Sequence, residues 1–176
     1  MSSMESLGFK KIDVSELENL DFNPFKKIGR EWFLVTAGNE KGWNTMTASW
    51  GFAGVMWGKN TFTTVIRPQR HTKEFADKSD VFTISFFKEE HKKALQFCGS
   101  HSGKDCDKAK ETGLTPVFTD DTTTFAQADL VLVCKKAYVQ PMAPEFFTDK
   151  SNDEKWYAAK DYHIQYIGEI VSCYSK

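Results

Sequence analysis

Apolar and polar positions along this chain alternate in short runs, broken by turn residues instead of by long amphipathic stretches. "EWFLVTA" (31–37), "WNTMTAS" (43–49) and "TFTTVIR" (61–67) are rich in β-branched and aromatic residues and read as strands. "GNEKG" brings the first two together as a hairpin, with an expected loop longer than two residues. "VFTISFF" (81–87) is a continuous apolar strand, and "DLVLVCKKAYV" (129–139) and "YHIQYIGEIVSCY" (162–174) are long strands apolar on both faces. The last two flank a polar, aromatic excursion, "QPMAPEFFTDKSNDEKWYAAKD".

Three short helices fit the polar stretches. "HTKEFADKS" follows Arg67-Pro68, where proline keeps Arg67 extended, and Thr72 suits its N-cap. In "KEEHKKALQFCG", His91, Ala94, Leu95 and Cys98 share a face and Gly99 suits a stop. In "SGKDCDKAKETG", Ser102 and Asp105 have capping-box spacing and Gly113 ends the helix. Strands dominate and no strand–helix alternation appears, so the pattern predicts a mainly β, closed or nearly closed antiparallel barrel with short peripheral helices. With no internal repeat or linker, a single domain over 1–176 is expected, residues 1–24 forming an N-terminal lead-in.

Composition changes this picture little. A chain of 176 residues buries roughly 70% of its unfolded surface and needs no disulfide or metal for its core. Fifteen phenylalanines leave rings to spare for a flat ligand. A net charge of −1 gives no reason to expect nucleic acid or an anionic membrane as partner, and no apolar run reaches signal-peptide or membrane-span length, which places the protein in the cytoplasm. The four cysteines lack disulfide-scaffold spacing.

Several motifs fail on inspection. "GSHSG" has His101 where a nucleophile elbow needs serine, and "GSHSGKD" has the wrong glycine spacing for a phosphate loop. Cys98, His101 and Cys106 lack a fourth zinc ligand, so no metal is expected. Two helix starts, at Thr72 and Ser102-Gly103, lie near Arg67, Arg70, Lys104 and Lys108 in sequence, which suits an anion such as phosphate, although spacing alone favours simple capping and solvated cations. Read alone, His163, Trp50 and Trp57 suit structural roles. No catalytic triad is evident, so any chemistry is expected to come from a cofactor.

Over residues 25–174 the chain resembles the flavin reductase-like proteins with an FMN-binding split barrel, in particular their flavoredoxin-type branch. The likeness rests on "NTMTASWG", "IRPQRHT", "SGKDCDK" and "HIQYIGEI", in that order. It implies an antiparallel split β-barrel of Greek-key type, with FMN lying along Asn44, Thr45, Met46, Thr47, Ala48, Ser49 and Trp50. It puts Arg67, Arg70, Thr72, Ser102 and Lys108 near the phosphate, which tips the open question of the helix starts toward an anion site. His163 is given a substrate-side role, with Tyr162 beside it.

The resemblance further implies a homodimer, with "WGFAGVMWG" as part of the contact, and hydride transfer from NAD(P)H to flavin and on to an acceptor. The alternative is a flavoredoxin-like carrier that relays electrons between protein partners without direct nicotinamide oxidation. A pyridoxal-phosphate-related oxidase on the same barrel ranks below both.

Overall fold

The computed structural model describes residues 4–176. Ten strands are joined by short helices: β1 (Lys10–Ile12), α1 (Pro24–Lys26), β2 (Phe33–Asn39), β3 (Gly42–Ala48), β4 (Gly51–Met56), β5 (Lys59–Ile66), α2 (His71–Lys78), β6 (Val81–Phe86), α3 (Lys92–Ser100), α4 (Lys108–Thr112), β7 (Pro116–Thr119), β8 (Thr122–Phe125), β9 (Leu130–Pro141), α5 (Lys150–Trp156) and β10 (Ile164–Ser175). Eight of the strands form one antiparallel sheet in the order β3-β2-β6-β9-β10-β5-β4, with β1 pairing to the far end of β10. β7 and β8 form a separate hairpin.

Ring contacts show that the sheet curls on itself. Phe33 on β2 and Phe62 on β5 are separated by three strands in the sheet order, yet their centroids lie 5.3 Å apart, edge to face. Phe86 on β6 joins both. Around them Val35, Met46, Ile66, Ile84, Leu132 and Tyr166 complete an interior core. The opposite face of β2, β6 and β9 is also covered, by α3 and the β7–β8 hairpin, through Leu34, Leu95, Phe125, Val131 and Val133. Strands buried on both sides need no alternation, which is why 33–37 and 130–134 are apolar nearly throughout.

Several local expectations are corrected. The β2–β3 loop is only Glu40-Lys41, because Asn39 pairs with Gly42. Thr72 is not an N-cap: Arg70 holds that position, and Thr72 Oγ1 is buried, accepting from Asn44 Nδ2 at 2.8 Å. Nor do Ser102 and Asp105 box a helix start. Ser102 Oγ accepts from Lys104 N in a turn, and Asp107 caps the five-residue α4 by accepting from Lys110 N. Gly99 lies inside α3, which runs on to Ser100, whereas Gly113 does end α4 in the left-handed conformation. The lead-in packs as part of the structure, with Met4 and Phe9 buried and Leu17, Leu20 and Phe22 against the interior core. Residues 1–3 of that lead-in lie outside the described residues.

β4 turns back into β5 through Trp57-Gly58, both with positive φ. That conformation is the type I′ form that two-residue hairpins favour, and it explains the glycine.

Candidate functional site

The sheet order leaves β3 as an edge strand. In an antiparallel pair, alternate residues turn their backbone groups to the partner and away from it. Lys108 Nζ donates to Thr45 O at 2.8 Å from the open side, so Thr45 and, by alternation, Thr47 present their peptide groups there. The Thr36 and Thr45 hydroxyls, 2.8 Å apart, mark that pair as the close, non-hydrogen-bonded kind. The open edge is therefore a row of backbone donors and acceptors with Lys108 tied across it. Lys108 is buried, donates also to Cys98 O at 2.8 Å, and so joins β3 to the end of α3. Burial pulls its pKa down and pushes the Cys98 thiol up to about 11.

Along the same edge a cleft of about 180 Å³ opens between β3 and the end of β5. Met46, Ala48 and Val65 supply apolar wall; Thr47, Ser49, Trp50, Arg67, Arg70 and His163 supply polar and aromatic groups; and Trp156 of α5 lies at its margin. Trp50 meets Trp156 edge to face at 5.0 Å and the His163 ring at 5.1 Å. Eight of the sequence-predicted residues thus converge: Met46, Thr47, Ala48, Ser49, Trp50, Arg67, Arg70 and His163.

The other five lie elsewhere. Thr45 turns its hydroxyl to Thr36 and Val35 O inside the sheet. Asn44 and Lys108 line a neighbouring cleft of about 310 Å³ on the far side of the Thr45–Lys108 tie, with Gly103 and Cys106. Thr72 is bonded to that Asn44. Ser102 sits in the adjoining turn, where Gly103 comes so close to Asn44 that a Cβ on it would lie 2.0 Å from Asn44 Oδ1. That close approach is why the turn has glycine there.

Electrostatics sharpen the cleft. Arg70 donates to Gly99 O at 2.7 Å and, among the described residues, has no carboxylate partner; burial, then the charge of Arg67, lowers its pKa. Arg67 is held by Asp161 at 2.5 Å and by Trp156 O at 2.8 Å, with the Tyr157 ring beneath it. Among the described residues one carboxylate, Asp161, faces these two guanidiniums, so positive charge is left over at the cleft.

His163 Nδ1 lies 2.8 Å from Tyr157 Oη. Burial first, then the Arg67 charge, lowers its pKa to about 4, so the imidazole is neutral at pH 7. A folded-state pKa below the unfolded value means that the unfolded chain takes the proton first on acidification. Stability from this group is complete above about pH 6.5 and is lost progressively as the pH drops toward 4. Carboxylates with lowered pKa, such as Asp161 and Asp77, act below that window. Urea midpoints at pH 7 and 4.5 should differ more for the wild type than for His163→Gln; equal differences would contradict this origin.

Trp156, Tyr157 and Asp161 were not singled out from sequence. They fall in the polar, aromatic excursion between the last two strands, where no motif drew attention to them.

A family model for the "Flavin reductase like domain" matches residues 25–176. Among solved structures, an FMN-binding domain of flavin reductases-like enzyme from Shewanella baltica superposes with a TM-score of 0.69 at 19% identity, over 95% of this chain and 76% of that one. Flavoredoxin from Methanosarcina acetivorans gives 0.66 at 18%, over 83% and 68%. The NADH:FAD oxidoreductase SgcE6 of Streptomyces globisporus gives 0.63 at 15%, over 83% and 75%. At these identities the likeness is one of fold, and a structure with 0.66 at 19% identity from Shewanella frigidimarina is described as having a split barrel domain. No curated protein matches the chain.

Proposed function

The chain belongs to the flavin reductase-like domain family, and from that premise we propose that the β3–β5 cleft binds FMN in an oxidoreductase that takes hydride from NAD(P)H and passes electrons to an acceptor. The observation that carries this reading is Arg70, a half-buried guanidinium with no carboxylate partner among the described residues, beside Arg67 and next to an edge strand. Flavin nucleotides need such a combination: a cationic end for phosphate, fixed donors for ring edges and an apolar or aromatic wall.

The residues fit that demand. Arg70 and Arg67 would face the phosphate; the Thr47 backbone and Ser49 would serve the polar edges; Met46, Val65 and Trp50 would wall the ring. Asn44, Thr72, Ser102 and Lys108 extend the same edge and shape the loop beside it. Bound FMN would supply hydride acceptance and onward electron transfer. The protein supplies binding, orientation and charge. His163, uncharged at pH 7, acts here as a neutral hydrogen-bonding group on the substrate side, oriented by Tyr157, and not as an imidazolium acid.

The alternative, a carrier that relays electrons between protein partners, is supported by the likeness to flavoredoxin. A homodimer suits β4 and the turn after it, which expose Phe52, Val55, Met56 and Trp57, with the Tyr138 ring near Trp57. A cytoplasmic location remains part of the proposal; among the described residues no helix is long and apolar enough to cross a membrane.

An absorption spectrum after FMN addition and desalting should show about one flavin per chain, and anaerobic NADH or NADPH should then bleach it. Retained flavin that bleaches only with a reduced partner protein would favour the carrier. No retained flavin at all would count against tight FMN binding.

A further inference from the structure

The cleft of about 180 Å³ falls short of the roughly 300–1,000 Å³ typical of ligand pockets. One segment, residues 142–163, narrows it. Its two ends are zipped together, Met142 N donating to His163 O and Pro141 pairing with Ile164. Between them the segment packs on itself: Asp149 caps α5, Asp153 accepts from Tyr162 Oη, and Phe147 meets the rings of Tyr157 and Tyr162. A unit tied mainly to itself and hinged at a two-strand neck can move as a body.

Arg67 makes three of the contacts that hold it over the cleft, beside the edge-to-face meeting of Trp50 and Trp156. Arg67 donates to Asp161 and to Trp156 O, and the Tyr157 ring lies against its guanidinium. Asp161 also accepts from Gln69 at 2.7 Å, so the segment is clasped to the 67–70 turn. The Arg67 and Asp161 side chains keep 24% and 22% of their exposure, which leaves the pair open to exchange for a stronger anion. A phosphate monoester carries up to two charges and three acceptor oxygens, and outbids a single carboxylate for a guanidinium.

We propose that Arg67 is a latch contested between Asp161 of the 142–163 segment and the phosphate of the bound nucleotide, so that phosphate binding unfastens the segment and enlarges the cleft. The inference rests on the reading of the cleft as an FMN site. A ligand shifts such an equilibrium only by binding one state better, and the coupling is reciprocal. Cutting the Asp161 side of the contest must therefore both loosen the segment and tighten the nucleotide.

Hydrogen exchange of peptides covering 150–162 tests this in the full chain. Asp161→Asn should exchange there at least several-fold faster than wild type without ligand, and should bind FMN about tenfold more tightly. FMN added to the wild type should speed exchange in the same peptides, whereas riboflavin, which lacks the phosphate, should not. Exchange that is unchanged or slowed by bound FMN, or speeded equally by riboflavin, overturns the latch. Failure of the wild type to bind FMN sinks the reading of the cleft, and the latch with it; that failure is seen in the titration before any exchange is measured.

Discussion

Arg70→Ala should weaken FMN binding by roughly 30-fold or more, since removing one partner of a desolvated charge pair typically costs about 2–5 kcal/mol. Within the protein Arg70 has one bond to a carbonyl, to Gly99, and repels Arg67, so the variant should keep its stability to within about 1 kcal/mol. Arg70→Lys should recover only part of the affinity, because an ammonium cannot reproduce the planar fork. Flavin fluorescence titrations beside urea unfolding separate the two effects. Unchanged affinity in Arg70→Ala would remove the anion site from this cleft.

The second large effect is expected in stability. Lys108→Ala should lower unfolding free energy by about 2–4 kcal/mol, because Thr45 O and Cys98 O would both lose their donor in a buried place. Relief of the desolvated ammonium offsets part of that cost. Lys108→Met keeps most of the volume and should lose nearly as much, which would assign the effect to the carbonyls and not to a cavity. An unfolding free energy within about 0.5 kcal/mol of wild type, the usual scale for surface changes, would show that water replaces the lysine. The same variant should also misplace the β3 edge, so any loss of flavin affinity in it reads as indirect.

The barrel strands were legible because their pattern has a single cause. Strands buried on two faces must be apolar almost throughout, and 33–37, 81–87 and 130–134 are. β8 was not legible for the opposite reason: Thr122, Thr123 and Thr124 are polar in sequence yet fully buried. Thr83 Oγ1 donates to Thr123 O, and the Ser85 and Thr124 hydroxyls pair, so hydrogen bonds between strands replace apolar packing there. The β7–β8 turn, Asp120-Asp121, adopts positive φ at both residues without the glycine that would have announced it.

β4 hid behind its exposure. "GFAGVM" read as an interaction patch, and only its pairing with β5 makes it a strand. In the candidate site, the β3 edge and the cations after β5 could be read from chain order and family resemblance. Which of those cations meets an acid, and which a carbonyl, depends on contacts such as Arg67–Asp161 and Lys108–Cys98, 94 and 10 residues apart in sequence.

The perpendicular Trp50–Trp156 pair has one more consequence. Indole emission overlaps flavin absorption, and transfer between them weakens steeply with distance. Two of the five tryptophans stand at the cleft, one on the barrel and one on the excursion. Ultraviolet excitation of the unlabelled protein therefore gives an optical gauge of both occupancy and spacing: a flavin in the cleft dims both indoles, and separation of Trp156 from Trp50 changes how much each is dimmed.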